Sequence, residues 1–142
     1  MGEDVDPDEV TALLGCPPTT AWRKGDPWSA RHPERQRAHG AWILETTLDR
    51  DVEVEVHIAH LLDQVSIDPA VWCQINARFF SRIFCGIFME RWNEGFGLTP
   101  PVLARISTCG LHLDFDIYRP SEDEEPEEIG QHDTSFACLP GK

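Results

Sequence analysis

The sequence contains no apolar stretch long enough to cross a membrane. A membrane-spanning helix needs roughly 18 to 20 consecutive apolar residues, and no such run occurs among the 142 residues. The acidic N-terminus also lacks the basic and apolar regions of a signal peptide. A chain with neither signal is expected to stay in the cytoplasm.

The cysteines form no recognisable pattern. There are five of them, an odd number, and none belongs to a CxxC pair. This spacing indicates neither a zinc ribbon nor a disulfide framework. We expect buried thiols in a reducing compartment at Cys16, Cys73, Cys85, Cys109 and Cys138.

Basic residues are scarce. Twelve Lys and Arg stand against 25 Asp and Glu, so the formal net charge is −13. This charge argues against nucleic acid or an anionic membrane as the main partner, and it favours a basic protein. Five of the basic side chains nevertheless fall between residues 23 and 37, which predicts one local basic patch on an acidic domain.

Known catalytic motifs are absent as well. The sequence has no glycine-rich phosphate loop, no GxSxG elbow, no protein-kinase signature and no HEXXH. Cys16 is the one cysteine with basic residues nearby, Arg23 and Lys24, which is too little to indicate a nucleophile. We therefore favour a protein that is not an enzyme and has no cofactor.

Two groups of side chains have the composition of a metal site. His112, Asp114 and Asp116 share one face of a predicted strand, but Cβ atoms two residues apart on a strand lie about 7 Å from each other. Because three such side chains cannot readily reach one ion, we expect a polar face that is solvated or covered by a helix. His57 and His60 lie three residues apart on a predicted helix, yet no carboxylate or thiol completes a known ligand pattern. We predict no metal site.

The clearest fold signal lies in residues 79–118. The apolar run from Phe79 to Met89 predicts a strand covered on both faces, or nearly so. Thr99, followed by a proline, is typical of a helix start, and Gly110 of a helix end. A final alternating strand follows. Its core-facing residues are predicted to be Leu111, Leu113, Phe115 and Ile117.

The N-terminal segment repeats the same helix signals. Asp6 is the predicted N-cap and Pro7 the first helical residue, while Glu9 completes a capping box and Gly15 ends the helix. The shared pattern predicts a pseudo-repeat of two strand-helix-strand units. The predicted fold is α+β, a small antiparallel or mixed sheet with helices packed on one face in a ferredoxin-like arrangement.

The best candidate for a functional site is a long loop predicted for residues 16–40. The segment is rich in proline, arginine and glycine and has no apolar periodicity. One interpretation is that its indoles hold the loop against the core while its charges are solvated. The other is a recognition surface, with basic groups for an anion and tryptophan as an anchor. The candidate ligand- or partner-binding residues are Trp22, Arg23, Lys24, Asp26 and Trp28.

The segments between these two regions have mixed signals. Residues 41–47 predict a strand. Residues 51–65 fit both periods, but the helical set is longer, and Asp49 or Asp51 is available as an N-cap. A short helical turn is predicted to begin at Pro69, with Asp68 as its cap.

The composition changes after residue 118. Residues 119–142 hold seven acidic side chains and three prolines and have almost no apolar residues before Phe136. This composition is typical of a disordered, solvated tail. We therefore divide the chain into a single α+β domain, residues 1–118, and an acidic disordered tail, residues 119–142.

Several of these segments together resemble a known family. The succession of DPDEVTALLG, PPTTAWRKGD, GAWIL, an acidic helix ending in LLD, and GLTPPVLARISTCGLHLDFDIY resembles the small bacterial proteins of domain of unknown function family 4279. The resemblance covers residues 3–118, and WRKGD and LDFDIY are its most specific parts. It implies a compact α+β domain and, because the family has no established activity, no catalytic residues.

One departure from the family pattern concerns the N-terminus. Similar members have a strand ahead of the GEDVDPDEV segment, for which this sequence leaves no room. The departure implies either a start placed too late or a sheet one strand short. In the second case an open sheet edge is available to pair with another chain.

These observations leave three functional hypotheses. The charge and the absence of a catalytic constellation favour a non-enzymatic binding protein, of immunity or accessory type, that acts on a basic partner. The alternative is a small-ligand-binding protein or enzyme that uses the Trp-Arg-Lys-Gly-Asp loop for an anionic metabolite. The third is a homodimer formed through a sheet edge or the aromatic loop.

Overall fold

The computed structural model describes residues 2, 4–90 and 93–119, and this part of the chain contains four helices and six strands. In chain order they are α1 (Pro7–Leu14), β1 (Thr20–Trp22), β2 (Pro27–Ser29), β3 (His32–Gln36), β4 (Ala41–Ile43), α2 (Val54–Gln64), α3 (Pro69–Arg78), β5 (Arg82–Phe88), α4 (Pro100–Thr108) and β6 (His112–Tyr118). All of them lie within the predicted domain. The predicted tail lies outside the described residues, apart from Arg119.

Helix α1 begins and ends where its sequence predicts. The Asp6 side chain accepts a hydrogen bond from the Asp8 N–H at 3.0 Å, and Gly15 ends the helix with a φ of 79°. Glycine is favoured there because a Cβ makes the left-handed conformation costly. The Glu9 carboxylate, predicted to close a capping box, forms an ion pair with Arg78 at the end of α3, 2.5 Å between Oε1 and Nη1.

The prediction of a long loop over residues 16–40 was wrong, because this segment contains three strands. Strand β1 pairs antiparallel with β4, with Thr20 opposite Ile43, and β2 pairs antiparallel with β3. The apolar alternation that usually marks a strand is missing because β2 and β3 are exposed on both faces, with only Ser29 half-buried. An exposed strand has no reason to alternate apolar and polar residues.

Strands β5 and β6 run parallel, with Arg82 opposite His112 and Phe88 opposite Tyr118. Parallel neighbours need a crossover connection, and here α4 supplies it. The strand-helix-strand order predicted for this region is confirmed. Thr99 is the N-cap residue of α4, but its side chain makes no cap bond.

Helix α2 confirms the helical prediction for the ambiguous segment, although it begins at Val54, later than predicted, and its N-cap residue is Glu53. Its Glu55 carboxylate accepts hydrogen bonds from both the N–H and the hydroxyl of Thr99, which joins the starts of α2 and α4. Helix α3 is longer than the predicted turn, and the Asp68 carboxylate caps it as predicted, accepting from the Ala70 N–H at 2.8 Å.

The strands form three two-stranded sheets in the described residues: β1 with β4, β2 with β3, and β5 with β6. An isolated antiparallel bridge also joins Gly2 to Gly40. The α+β class is confirmed. The described residues form separate pairs where one sheet was expected, and the ferredoxin-like pseudo-repeat stays a prediction.

The core packs all four helices against one face of the β5–β6 pair. Its buried members are Val5, Val10, Leu14, Ile58, Leu62, Trp72, Ile75, Phe79, Ile83, Cys85, Val102, Ile106 and Cys109. Each fully buried aliphatic side chain stabilises the fold by about 1.5 to 3 kcal/mol. Ile117, predicted to face this core, is 56% exposed, because it lies near the end of β6. On the other face of β5, Arg82 and Phe84 are half-buried and Gly86 is buried, so the predicted cover on both faces fails only at Phe88, at the end of the strand.

Candidate functional site

The predicted binding residues lie on and beside the turn between β1 and β2. Trp22 is the last residue of β1, and Pro27 the first of β2. The Arg23 N–H donates to Oδ2 of Asp26 at 2.7 Å, and the Asp26 N–H donates to the Arg23 carbonyl oxygen at 3.2 Å. Asp26 therefore holds the turn closed. Lys24 is exposed on the same turn.

The Arg23 side chain points to the start of α1. Its Nη2 lies 2.7 Å from Oδ1 of Asp6 and 2.7 Å from Oδ2 of Asp8. The pKa of Asp6 is lowered, first by the hydrogen bond from the Asp8 N–H and then by the Arg23 guanidinium. An added anion at Arg23 would compete with two carboxylates that the chain itself provides.

The two tryptophans lie on either side of Arg37, a residue that follows β3. The guanidinium carbon is 4.1 Å from the ring centroid of Trp22 and 4.1 Å from that of Trp28. The Arg37 Nη2 also donates to the Trp28 carbonyl oxygen at 2.9 Å, and the Trp22 Nε1 donates to the His39 carbonyl oxygen at 3.0 Å. We call Trp22, Arg37 and Trp28 the Trp–Arg stack.

The structure thus divides the predicted site. It brings Trp22 and Trp28 together and directs Arg23 to α1. Arg37 belongs to the basic cluster of the sequence, but its place between the indoles was not predicted. The position of Arg37 follows from strand pairing, since the Arg37 N–H donates to the Asp26 carbonyl oxygen at 2.8 Å. An interpretation of the segment as a loop contains no such pairing.

The polar face of β6 is occupied by contacts other than metal ligation. The His112 ring lies 4.7 Å from the Phe80 ring, and Oδ2 of Asp114 lies 2.8 Å from Nη1 of Arg82. Within residues 4–90 and 93–119, no group of three or more His, Cys, Asp or Glu side chains is arranged to hold a metal ion.

His57 is fully buried in α2. Its Nδ1 lies 3.2 Å from the Thr46 hydroxyl, and its side chain also hydrogen-bonds to the backbone at Asp49 and Val52. Burial is the main cause of the lowered pKa of His57. The neutral imidazole therefore holds the connection between β4 and α2 against the core.

Three of the four described cysteines have raised pKa values, the opposite of an activated nucleophile. Burial raises the pKa of Cys85 to about 12, and burial also raises the pKa values of Cys16 and Cys109. A raised pKa lowers the thiolate fraction, which is the reactive form. Cys73 is exposed, contrary to the expectation of buried thiols, and Cys138 lies outside the described residues.

A shallow pocket of about 310 Å³ lies where α3 meets β5. Its lining includes Asn76, Arg78, Phe80, Ser81, Gly110 and His112. None of the five predicted binding residues contributes to it. The Arg78 guanidinium, its strongest charge, is already paired with Glu9 and lies 4.6 Å from the centroid of the Phe79 ring.

The fold and these sites define a small α+β domain. The chain matches the family DUF4279, a domain of unknown function, over residues 1–120. It therefore belongs to this family, as the sequence segments indicated. No curated protein and no solved structure matches the chain. None of the helices in the described part is long and apolar enough to span a membrane.

Proposed function

We propose that this protein is a non-enzymatic binding domain, of immunity or accessory type, that acts on a basic protein partner in the bacterial cytoplasm. The proposal includes no cofactor, no metal, no nucleic acid and no membrane surface. The chemistry that supports it is a large excess of negative charge on a chain in which five of the 12 basic side chains are paired with carboxylates or aromatic rings of the same chain.

The excess of carboxylates over basic groups carries the proposal. Arg23, Arg78, Arg82 and Arg105 each pair with a carboxylate of the same chain, and Arg37 lies within the Trp–Arg stack. The other seven basic groups stand against the other 20 carboxylates of the chain, so these contacts leave the net charge at −13. Such a surface attracts cationic partners and speeds their association.

One part of this surface is the connection between β4 and α2. Asp49, Asp51 and Glu53 are exposed there within five residues. The backbone of this segment is tied to α2 by His57, which contacts it at Asp49 and Val52 and lies 3.2 Å from the Thr46 hydroxyl. A backbone that is already tied down loses less conformational entropy on binding than a mobile loop does, which favours association.

The experiment is affinity capture from a bacterial lysate at about 50 and 300 mM salt, followed by purification of each captured protein and measurement of its Kd alone. The proposal expects at least one basic protein whose affinity falls steeply with salt, because exposed charge pairs are screened. The matched variant is Asp49→Asn/Asp51→Asn/Glu53→Gln, which removes three charges without changing size. Purified partners that are not basic, or affinities that do not depend on salt, would refute the proposal.

A second candidate function is a ligand site for an anionic metabolite at the Trp-Arg-Lys-Gly-Asp turn. Trp28, which is 52% exposed, favours it as a flat surface for a planar ligand, although Arg37 already occupies the space between the two indoles. The pairing of Arg23 with Asp6 and Asp8 disfavours it. A thermal-shift screen of anionic metabolites against wild type and Arg37→Met decides this point: a stabilising ligand that loses its effect in the variant supports the site.

Homodimerisation is a third proposal, and light scattering tests it directly. A mass twice that of the 16.1 kDa chain would support it. A monomer at micromolar concentration would rule it out under those conditions.

A further inference from the structure

The face of the β5–β6 pair that points away from the core has an unusual composition. We call it the outer face. Strand alternation places on it Arg82, Phe84, Gly86 and Phe88 from β5, and His112, Asp114, Asp116 and Tyr118 from β6. It combines aromatic rings with carboxylates.

Much of the outer face is open. Parallel strands are normally covered on both faces, yet Phe88 is 57% exposed and Tyr118 is 46% exposed. Their rings stack on each other, with centroids 4.7 Å apart and planes 12° apart. Two stacked, exposed aromatic rings at the end of a parallel pair indicate a contact surface.

One half of the outer face already binds a guanidinium. The Arg82 side chain places Nη1 2.8 Å from Oδ2 of Asp114 and its guanidinium carbon 5.2 Å from the centroid of the Phe84 ring. The chain uses the same combination elsewhere, where Arg78 pairs with Glu9 and lies over Phe79. Carboxylate and aromatic ring together are thus a recurrent guanidinium site in this domain.

The other half has the same two groups. Asp116 lies two residues beyond Asp114 on β6, opposite Gly86, and next to the Phe88–Tyr118 stack. Asp116 is exposed, and none of the ion pairs in the described residues includes it. Its nearest polar contact is the Tyr118 hydroxyl, at 3.4 Å.

We propose that this half of the outer face, Phe88, Asp116 and Tyr118, docks an arginine presented by an extended segment of the basic partner. This inference rests on the proposed function, and it adds the site at which the basic partner binds and the partner side chain that the site recognises. The guanidinium pairs with Asp116 while its plane lies on the aromatic stack, as Arg82 does beside Asp114 and Phe84. Arginine is preferred over lysine because the planar guanidinium stacks on rings and bonds a carboxylate through two N–H groups.

The test uses a synthetic decapeptide of alternating arginine and serine, with a lysine-serine decapeptide as comparison. Tyr118 is the only tyrosine in the chain, so growth with 3-fluorotyrosine gives one ¹⁹F signal at the site. Saturable movement of this signal with the arginine peptide, with about threefold or more weaker binding of the lysine peptide, is the expected result. Calorimetry on the same samples gives the Kd independently of the label.

Two matched pairs of variants locate the binding. Asp116→Asn is expected to weaken the arginine peptide about threefold, since an exposed ion pair contributes at most about 1 kcal/mol. Asp4→Asn, at an exposed carboxylate outside both proposed surfaces, is expected to leave its affinity unchanged. Phe88→Ser, at an exposed position, is expected to weaken it about threefold. Ile67→Ser, at a position 61% exposed, is the control for loss of apolar surface.

The outcomes separate the inference from the proposed function. If the peptide binds but Asp116→Asn and Asp4→Asn have equal effects and the ¹⁹F signal stays fixed, the outer face is the wrong place and the basic-partner proposal survives. If the arginine peptide does not bind the wild type, the inference is overturned. If light scattering shows a dimer that Phe88→Ser dissociates, the occupant is a second copy, and the arginine assignment is wrong.

Discussion

Replacement of Gly40 by alanine tests the contact between the N-terminal segment and β4. Gly40 precedes β4 and bridges to Gly2. A Cβ built on Gly40 would lie 2.9 Å from the Val5 Cβ, 2.9 Å from the Val5 carbonyl oxygen and 3.4 Å from the Trp22 carbonyl oxygen. Carbon atoms in normal contact are about 3.5 to 4.0 Å apart, so backbone atoms would have to move by about half an ångström.

The expected cost follows from the identity of these neighbours. Val5 is buried, and two of the three close atoms are backbone oxygens that cannot turn away as a side chain does. Overpacking of this kind typically costs about 1 to 3 kcal/mol, and the upper part of that range applies here. Alanine also raises the unfolding free energy by about 0.4 to 1 kcal/mol, because it restricts the conformations of the unfolded chain. The net loss of unfolding free energy is about 2 kcal/mol.

Urea denaturation monitored by tryptophan fluorescence measures this loss. With a slope of about 2 kcal/mol per molar urea, typical for a small domain, the midpoint falls by about 1 M. The control is Gly95→Ala, because nothing lies within 4 Å of a Cβ at Gly95 and its φ is not left-handed. A Gly40→Ala protein as stable as the Gly95→Ala protein would show that the N-terminal segment does not pack against Gly40.

Three further predictions concern the sites. Arg37→Met should lower the unfolding free energy by about 1 to 2 kcal/mol and change the tryptophan fluorescence, because it removes two cation–π contacts, whereas Arg35→Met, whose guanidinium lies 5.9 Å from one ring, should have little effect. The unfolding free energy should fall as the pH drops below the ordinary His57 pKa of 6.5, because the unfolded chain takes up a proton that the buried imidazole resists. His57→Gln should lose this pH dependence between pH 7.5 and 5.5. If the unfolding free energy of the variant depends on pH as that of the wild type does, His57 is not its cause. In native labelling with a thiol reagent, Cys73 should react quickly and Cys85 only after unfolding, as mass spectrometry of digested protein would show.

The helices were predictable because their signals are local. Asp6 and Asp68 cap the helices that follow them, and each cap needs only a carboxylate two residues from the N–H it accepts. The hydrogen bonds from Thr99 to Glu55 were not predictable, although the helix start at Thr99 was, since the two residues are 44 apart in the sequence. Contacts between residues distant in the sequence depend on packing, which no local pattern reports.

The strands of residues 16–40 were not predictable for a related reason. Periodicity reports burial on one face, and β2 and β3 have no buried face to report. The Trp–Arg stack depends on the register in which β2 pairs with β3. Trp22 and Trp28 were therefore identified as candidates, and Arg37 was not. The outer face was missed because an apolar β5 sequence predicted cover on both sides, whereas Phe88 is exposed.

The recurrent guanidinium sites limit what a single docked arginine can contribute. Exposed ion pairs contribute about 0 to 1 kcal/mol and one exposed cation–π contact about 0.5 to 1 kcal/mol, so Asp116 and the Phe88–Tyr118 stack together provide about tenfold in affinity. A partner with nanomolar affinity must therefore cover more of the acidic surface, including the exposed carboxylates before α2. Because screening weakens each such pair, removal of Asp116 should cost less affinity at 300 mM salt than at 50 mM, while the contribution of Phe88, which is a matter of ring contact, should change little.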